Sequence, residues 1–277
     1  MLEIEQLNKS FKNIDTDISI SMSNIRRAQG VTFKQLEKRF TGISGGTLKR
    51  HMQQSYPAAR PIHLIAAYSW VMMVPMTSFK IQQFYPNLDK NTVKALACIG
   101  RLPVTQFNHF LDMVCDILGE VSRNEFFNYK EQLENKYGKL ADHREFLPPD
   151  VLDIDEFAMD YYHSVAITAR RFREVNDISV ETASQLIGIS KHQYTLLEDT
   201  RKTTPLPASI GFRAQVGFQL ESHASFTSEM RQFPALHQLR KVQHVRDSLF
   251  IKALSLLQGV HKELMTDLLV TLSKIYR

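Results

Sequence analysis

The sequence predicts an all-α fold built from two tandem copies of one unit, each followed by a helical extension. Three observations predict it. Apolar residues recur at spacings of three and four, alternating β-branched runs are scarce, and six short segments recur in the same order 146 to 151 residues apart. The helical spacing is seen in Val93, Leu96, Ala97 and Gly100, and again in Phe107, Phe110, Leu111, Val114, Cys115 and Leu118. It returns at the end of the chain in Leu249, Ala253, Leu256, Leu257, Val260, Leu264, Leu268 and Leu272.

The repeat begins with LEIEQL at 2–7, answered by LDIDEF at 152–157. TFKQLEKRFTGISGGTL at 32–48 lies against SVETASQLIGISKHQY at 179–194, with the two GIS triplets aligned. Pro61 then pairs with Pro207, TSF at 77–79 with ASF at 224–226, and QQFYPNL at 82–88 with RQFPAL at 231–236. LDMVCDIL at 111–118 resembles ELMTDLL at 263–269. Prolines 148 and 149 cannot continue a helix, so the halves divide at Leu147–Asp150. The expected units are 1–90, 91–147, 148–228 and 229–277.

The second copy is the clearer. Ala166 to Val175 reads as a helix with Ala166, Ala169 and Phe172 inward and Arg170, Arg171 and Arg173 outward. Ser179 caps the next helix, Val180 to Ile187, and Gly188 ends it in the left-handed conformation glycine tolerates best. Ser190 caps a third, with Gln193 placed to complete a capping box. Two short helices across a three-residue turn, with small Ala183 at their crossing, have helix-turn-helix spacing.

These residues resemble the five-helix DNA-binding domain of the Cro and lambda-repressor family, often called the XRE type. The resemblance covers roughly 60 residues per copy and rests on Ala183, the Gly188-Ile189-Ser190 turn, Tyr194, Glu198 and a proline at 205 or 207. The family's glycine after the glutamate is Thr200 or absent. The first copy departs further: Thr41 adds a residue before the turn, Gly45 and Gly46 begin the third helix, and His51 or Met52 replaces the glutamate.

The resemblance implies major-groove reading by the third helix of each copy, with phosphate held at the start of the second, at Thr32 and Ser179. The first-copy readers are then Ser44, Gly45, Gly46, Thr47, Lys49 and Arg50, the glycines admitting close backbone approach to bases. In the second copy they are Ser190, Lys191, His192 and Gln193, unless Gln193 folds back onto the Ser190 amide. Arg170, Arg171, Arg201 and Lys202 would add phosphate contacts.

Charge separates the copies. Residues 24–63 hold Arg26, Arg27, Lys34, Lys38, Arg39, Lys49, Arg50 and Arg60 against Glu37 alone, a balance of +7 in a chain whose total is +5. Residues 169–207 balance at +1. Phosphate contact dominates nucleic-acid affinity, so the first copy should carry more of the binding. Residues 111–160 balance at −8 and should face away from DNA, while 226–277 return to +4 with a leucine-rich face that is local core or a dimer seam.

Other chemistries find little support. Cys98 and Cys115 sit in apolar helical patterns and read as core thiols of a reducing compartment. Gly42-Ile43-Ser44-Gly45-Gly46 matches the nucleophile-elbow pattern, but charged, helical KQLEKRF stands where that elbow needs a buried strand. His51, His63, His223, His237 and His244 lack the spacing of a zinc helix and read as surface or capping residues. Trp70 reads as core. The N-terminus has no signal-peptide pattern, and the longest apolar stretch, 64–76, is too short for a bilayer. The expectation is a cytoplasmic, sequence-specific regulator that binds double-stranded DNA, not an enzyme, without cofactor or metal and acting as a homodimer. The rival is an adaptor, antitoxin-like or coactivator-like, in which one or both helix-turn-helix units serve protein assembly.

Overall fold

A computed structural model describes residues 5, 8–79, 88–201, 205–218, 220 and 222–276, and it is predominantly helical. The parts 2–4, 6–7 and 82–87 of the sequence repeat lie outside the described residues. Each half starts with an amphipathic helix. In α1 (Ile14–Ala28), Ile14, Ile18, Met22 and Ile25 are buried at spacings of four, four and three. In α8 (Ile154–Val175), Phe157, Tyr161, Val165 and Ala169 are buried at spacings of four, and the Asp153 carboxylate caps the helix by accepting from the Asp155 and Glu156 amides.

Short helix pairs follow: α2 (Phe33–Glu37) with α3 (Gly45–His51) in the first half, and α9 (Val180–Leu186) with α10 (Lys191–Leu197) in the second. A proline opens the next helix in each half, Pro61 before α4 (Ile62–Val71) and Pro207 before α11 (Ala208–Gly217). The extensions are α5 (Lys90–Ile99), α6 (Val104–Ile117) and α7 (Glu120–Tyr137), then α12 (Pro234–Ser255) and α13 (Gly259–Ile275). A parallel pair of two-residue strands, β1 (Phe40–Thr41) and β2 (Leu152–Asp153), links the halves in register Phe40 to Leu152.

Pro61 and Pro207 form an isolated antiparallel bridge. The Ile62 amide donates to the Leu206 carbonyl at 2.9 Å, and the Ala208 amide donates to the Arg60 carbonyl at 2.7 Å. Residues 60 and 206, and 62 and 208, are each 146 apart, so exchanging the halves exchanges the two bonds. Around this bridge α8 packs on α4, α11 packs on α1, and α4 and α11 pack on each other. Their crossing depends on Gly211, where an added Cβ would lie 2.0 Å from Ile62 Cδ1.

The four sequence units associate across the chain. One core joins α1–α4 with α8–α11 and the first turns of α12, and a second joins α5–α7 with the rest of α12 and α13. Trp70 shows the first: it is buried against Phe157 and Phe233 of the other half. The leucine-rich C-terminal face divides, since Leu249, Ala253 and Leu257 are buried but Val260 and Leu264 are exposed. Both cysteines are buried thiols.

Helix α12 crosses both cores and carries buried charge. Arg240 donates to the Val74 carbonyl (3.1 Å), the Ala66 carbonyl (3.3 Å), Gln243 Oε1 (2.8 Å) and Ser69 Oγ. Arg246 donates to the Ile99 and Leu102 carbonyls at 2.7 Å each, and stacks 4.6 Å from the Phe107 ring centroid. Burial lowers both guanidinium pKa values to about 10, which leaves them cationic at neutral pH. Burial raises Asp247 to about 8 despite those two cations.

Three histidines expected at the surface or at caps are in the interior: His51, His63 and His223. His63 Nδ1 lies 2.7 Å from the Tyr162 hydroxyl of the other half, a bond across the repeat that spacing alone could not reveal. Among the described residues, no helix is long and apolar enough to cross a membrane.

Two tests follow from this packing. Gly211→Ala should destabilise by about 1–3 kcal/mol through overpacking, and Ile62→Val, which removes the opposing Cδ1, should recover part of the loss in a double-mutant cycle of melting free energies. Burial lowers His63 and His143 to about 4 and His223 to about 3. The unfolded chain therefore binds protons first, and the stability these neutral rings contribute is lost as pH falls from about 6.5 towards 4. Asp247 has the opposite sign: its folded pKa is raised, so its contribution is complete below about 4 and is lost as pH rises through 8. The melting temperature should peak near pH 6.5, and Asp247→Asn should flatten the alkaline side and steepen the acid side between about pH 4 and 6.5.

Candidate nucleic-acid interface

In the first half, Thr32 Oγ1 accepts from the Gln35 amide at 3.2 Å and Gln35 Oε1 accepts from the Thr32 amide at 2.8 Å, a full capping box. Helix α2 is short because the chain leaves it to pair as β1; the extra residue noted at Thr41 is used in that strand. Gly42 then turns at φ +74°, and Ser44 Oγ accepts from the Thr47 amide at 3.1 Å to start α3. Leu36 and Leu48 are buried beneath, while Lys34, Lys38 and Lys49 are exposed. Arg50, also exposed, donates to Thr47 Oγ1 at 3.1 Å and lies 5.9 Å from the Tyr56 ring centroid.

Gly45 does not offer open backbone. A Cβ there would lie 1.8 Å from Glu37 Oε1, so a carboxylate already occupies the approach to the start of α3. The open position is Gly46, where the nearest atom to an added Cβ is Ser44 Oγ at 3.9 Å. Glu37 is the only acid of residues 24–63, and that isolation was the sequence signal for its role.

In the second half, Ser179 Oγ accepts from the Thr182 amide at 3.0 Å, Gly188 turns at φ +66°, and Ser190 caps α10. Gln193 Oε1 accepts from the Ser190 amide at 2.9 Å, which completes the capping box. Reading adenine would need that same oxygen, so Gln193 is removed from the base readers in this arrangement. Lys191 and His192 remain exposed.

The arginines divide sharply. Arg60, expected at phosphate, is 1% exposed. Its guanidinium donates to the carbonyls of His51 (3.2 Å), Gln53 (2.6 Å), Tyr56 (2.7 Å) and Ala58 (2.6 Å), fixing the loop after α3. Arg39 donates to the Asp150 and Pro149 carbonyls at 2.7 and 3.0 Å, which ties it to the linker. Arg27 folds onto the Ser23 carbonyl and Asn24. Arg170 donates to the Glu198 carbonyl at 2.9 Å, Arg171 pairs with Glu229 at 2.8 Å, and Arg201 lies 3.5 Å from Asp199. Lys202 lies outside the described residues.

Arg26 and Arg173 occupy matching places, their carbonyls accepting from Val31 and Ile178 respectively. Arg173 grips Glu198 with two bonds of 2.8 and 3.0 Å. In the first half Met52 stands where Glu198 would be, and Arg26 turns to the Val31 carbonyl at 2.7 Å, leaving its Nε unpartnered. Ser44 Oγ, the serine of the elbow pattern, donates to Thr47 Oγ1 at 2.9 Å. Among the described residues no cluster of histidine, cysteine or carboxylate could hold a metal ion. The two halves therefore differ in surface: the first helix pair exposes Lys34, Lys38, Lys49 and Arg50, whereas α9 and α10 carry Lys191 as their single Lys or Arg.

Comparison with protein-family models, curated proteins and solved structures finds no match to this chain.

Removing Glu198 takes away both close bonds of Arg173 and leaves it the exposed Glu174 carboxylate at 3.8 Å. Glu198→Ala should cost about 1.5–3 kcal/mol, and Arg173→Ala in the same chain should add little more, as measured by chemical denaturation.

Proposed function

We propose that this chain is a sequence-specific double-stranded DNA-binding transcriptional regulator, with α3 and α10 as major-groove readers. In this reading the halves are diverged copies of a five-helix lambda-repressor-like helix-turn-helix domain, each with a helical extension. The repeated order of caps, turn glycines and helix-opening prolines supports the duplication, as do the two exchanged main-chain bonds at Pro61 and Pro207. One observation carries the DNA reading: Lys34, Lys38, Lys49 and Arg50 are all exposed on two adjoining capped helices. Such cations displace condensed counterions from phosphate, and Thr47 and Gly46 lie among them at the start of α3.

The protein would act in the cytoplasm without a cofactor and without catalysis. Two readers on one chain supply the two-fold relation that a homodimer supplies elsewhere. A homodimer, formed through exposed Val260 and Leu264 of α13, would carry four.

A second reading is favoured for the second copy alone. Its arginines are engaged by Glu198, Glu229 and Asp199, and Gln193 is used in a cap. That surface suits protein assembly, so α10 would contact a partner protein while α3 holds DNA.

Retention on random duplex fragments across a salt series tests both readings. Lys49→Ala with Arg50→Ala should reduce the slope of log affinity against log salt by about 2, one per lost phosphate contact. Lys191→Ala with His192→Ala should change it less. Retention that ignores salt, or that survives the first pair unchanged, would remove DNA as the partner of α3.

A further inference from the structure

A groove of about 610 Å³ runs between α1, α5 and the turn at Met76–Phe79. That volume suits a drug-sized organic molecule. Its two walls are helix stripes. Asp17, Ile20, Ser21, Asn24 and Ala28 line it from α1, and Lys90, Val93, Lys94 and Ala97 from α5. These are the positions that share one helix face. Ile25 and Phe79 extend the apolar floor.

Charge gives the groove its chemical direction. Among the described residues, three cations, Arg27, Lys90 and Lys94, stand around it against one acid, Asp17. Ser78, 8% exposed, also lines it.

We propose that this groove binds an amphipathic carboxylate, its apolar body on Ile20, Phe79 and Val93 and its acid group towards Lys90 and Lys94. The site has a route to α3. On its other side α1 holds the end of that helix, Ser19 Oγ donating to the His51 carbonyl at 2.9 Å and Ser23 Oγ to the Met52 carbonyl at 3.1 Å. Helix α1 therefore lies between the groove and the end of α3. Binding itself does not depend on the DNA reading.

The test titrates the full chain, without DNA, with decanoate and with decanol by calorimetry below the concentration at which decanoate forms micelles. A second series with 2-naphthoate distinguishes a ring-shaped body from a linear one. Decanoate or 2-naphthoate should saturate a single site, and decanol should bind at least about tenfold more weakly because it lacks the charge-assisted contacts. Lys90→Glu with Lys94→Glu should lose about tenfold or more for the acids at an unchanged melting temperature. Lys94→Gln gives a milder reading of the same charge dependence, and Ser21→Trp should block the groove to acid and alcohol alike. The proposal is overturned if neither acid binds saturably, if decanol matches decanoate, or if charge reversal leaves the acids' affinity unchanged.

Discussion

Two main-chain hydrogen bonds at Pro61 and Pro207 organise the molecule. Proline cannot donate, and its ring holds φ near −60°, so each proline presents an extended approach and then starts a helix. The residue after each proline has a free amide, and it is given to the carbonyl just before the other proline. Because the arrangement is mutual, α4 and α11 meet at their beginnings, and there is room for the meeting only because residue 211 has no side chain. The first helix of each half then covers the fourth helix of the other, and one core serves both halves.

The second constraint is the buried polar content of α12. A helix that crosses two cores would ordinarily be apolar on its inner face, yet Arg240, Arg246 and Asp247 are almost wholly enclosed. The arginines satisfy the Val74 carbonyl beyond α4 and the Ile99 and Leu102 carbonyls at the end of α5, groups left open where a helix stops. Their charge thereby fixes where the extensions sit against the two halves, a positional role that apolar packing does not supply with the same specificity.

Against this shared frame the two short helix pairs differ in charge. The first has Met52 where the second has Glu198, and Arg26 turns to a carbonyl; its lysines stand in solvent. The second pairs Arg173 with Glu198, while Arg170, Arg171 and Arg201 stay exposed beside hydrogen-bonding or acidic partners. One scaffold therefore presents a cationic face at one end and a neutralised face at the other.

The sequence by itself determined the helices, the caps at Ser179 and Ser190, the left-handed turn at Gly188 and the proline starts. Each of these depends on a residue and its near neighbours, where backbone sterics and local hydrogen bonds decide. Charge counting also located the exposed lysines of α2 and α3, since a lysine needs only solvent to be satisfied. Only the tertiary structure decided the fate of Arg60, Arg39, Gln193 and the buried histidines. The partners of Arg60 are carbonyls of an irregular loop, those of Arg39 lie more than a hundred residues away, and His63 meets Tyr162 from the other half. A charged or polar side chain has the same identity in water and in a core; which it occupies depends on groups that only folding brings within reach.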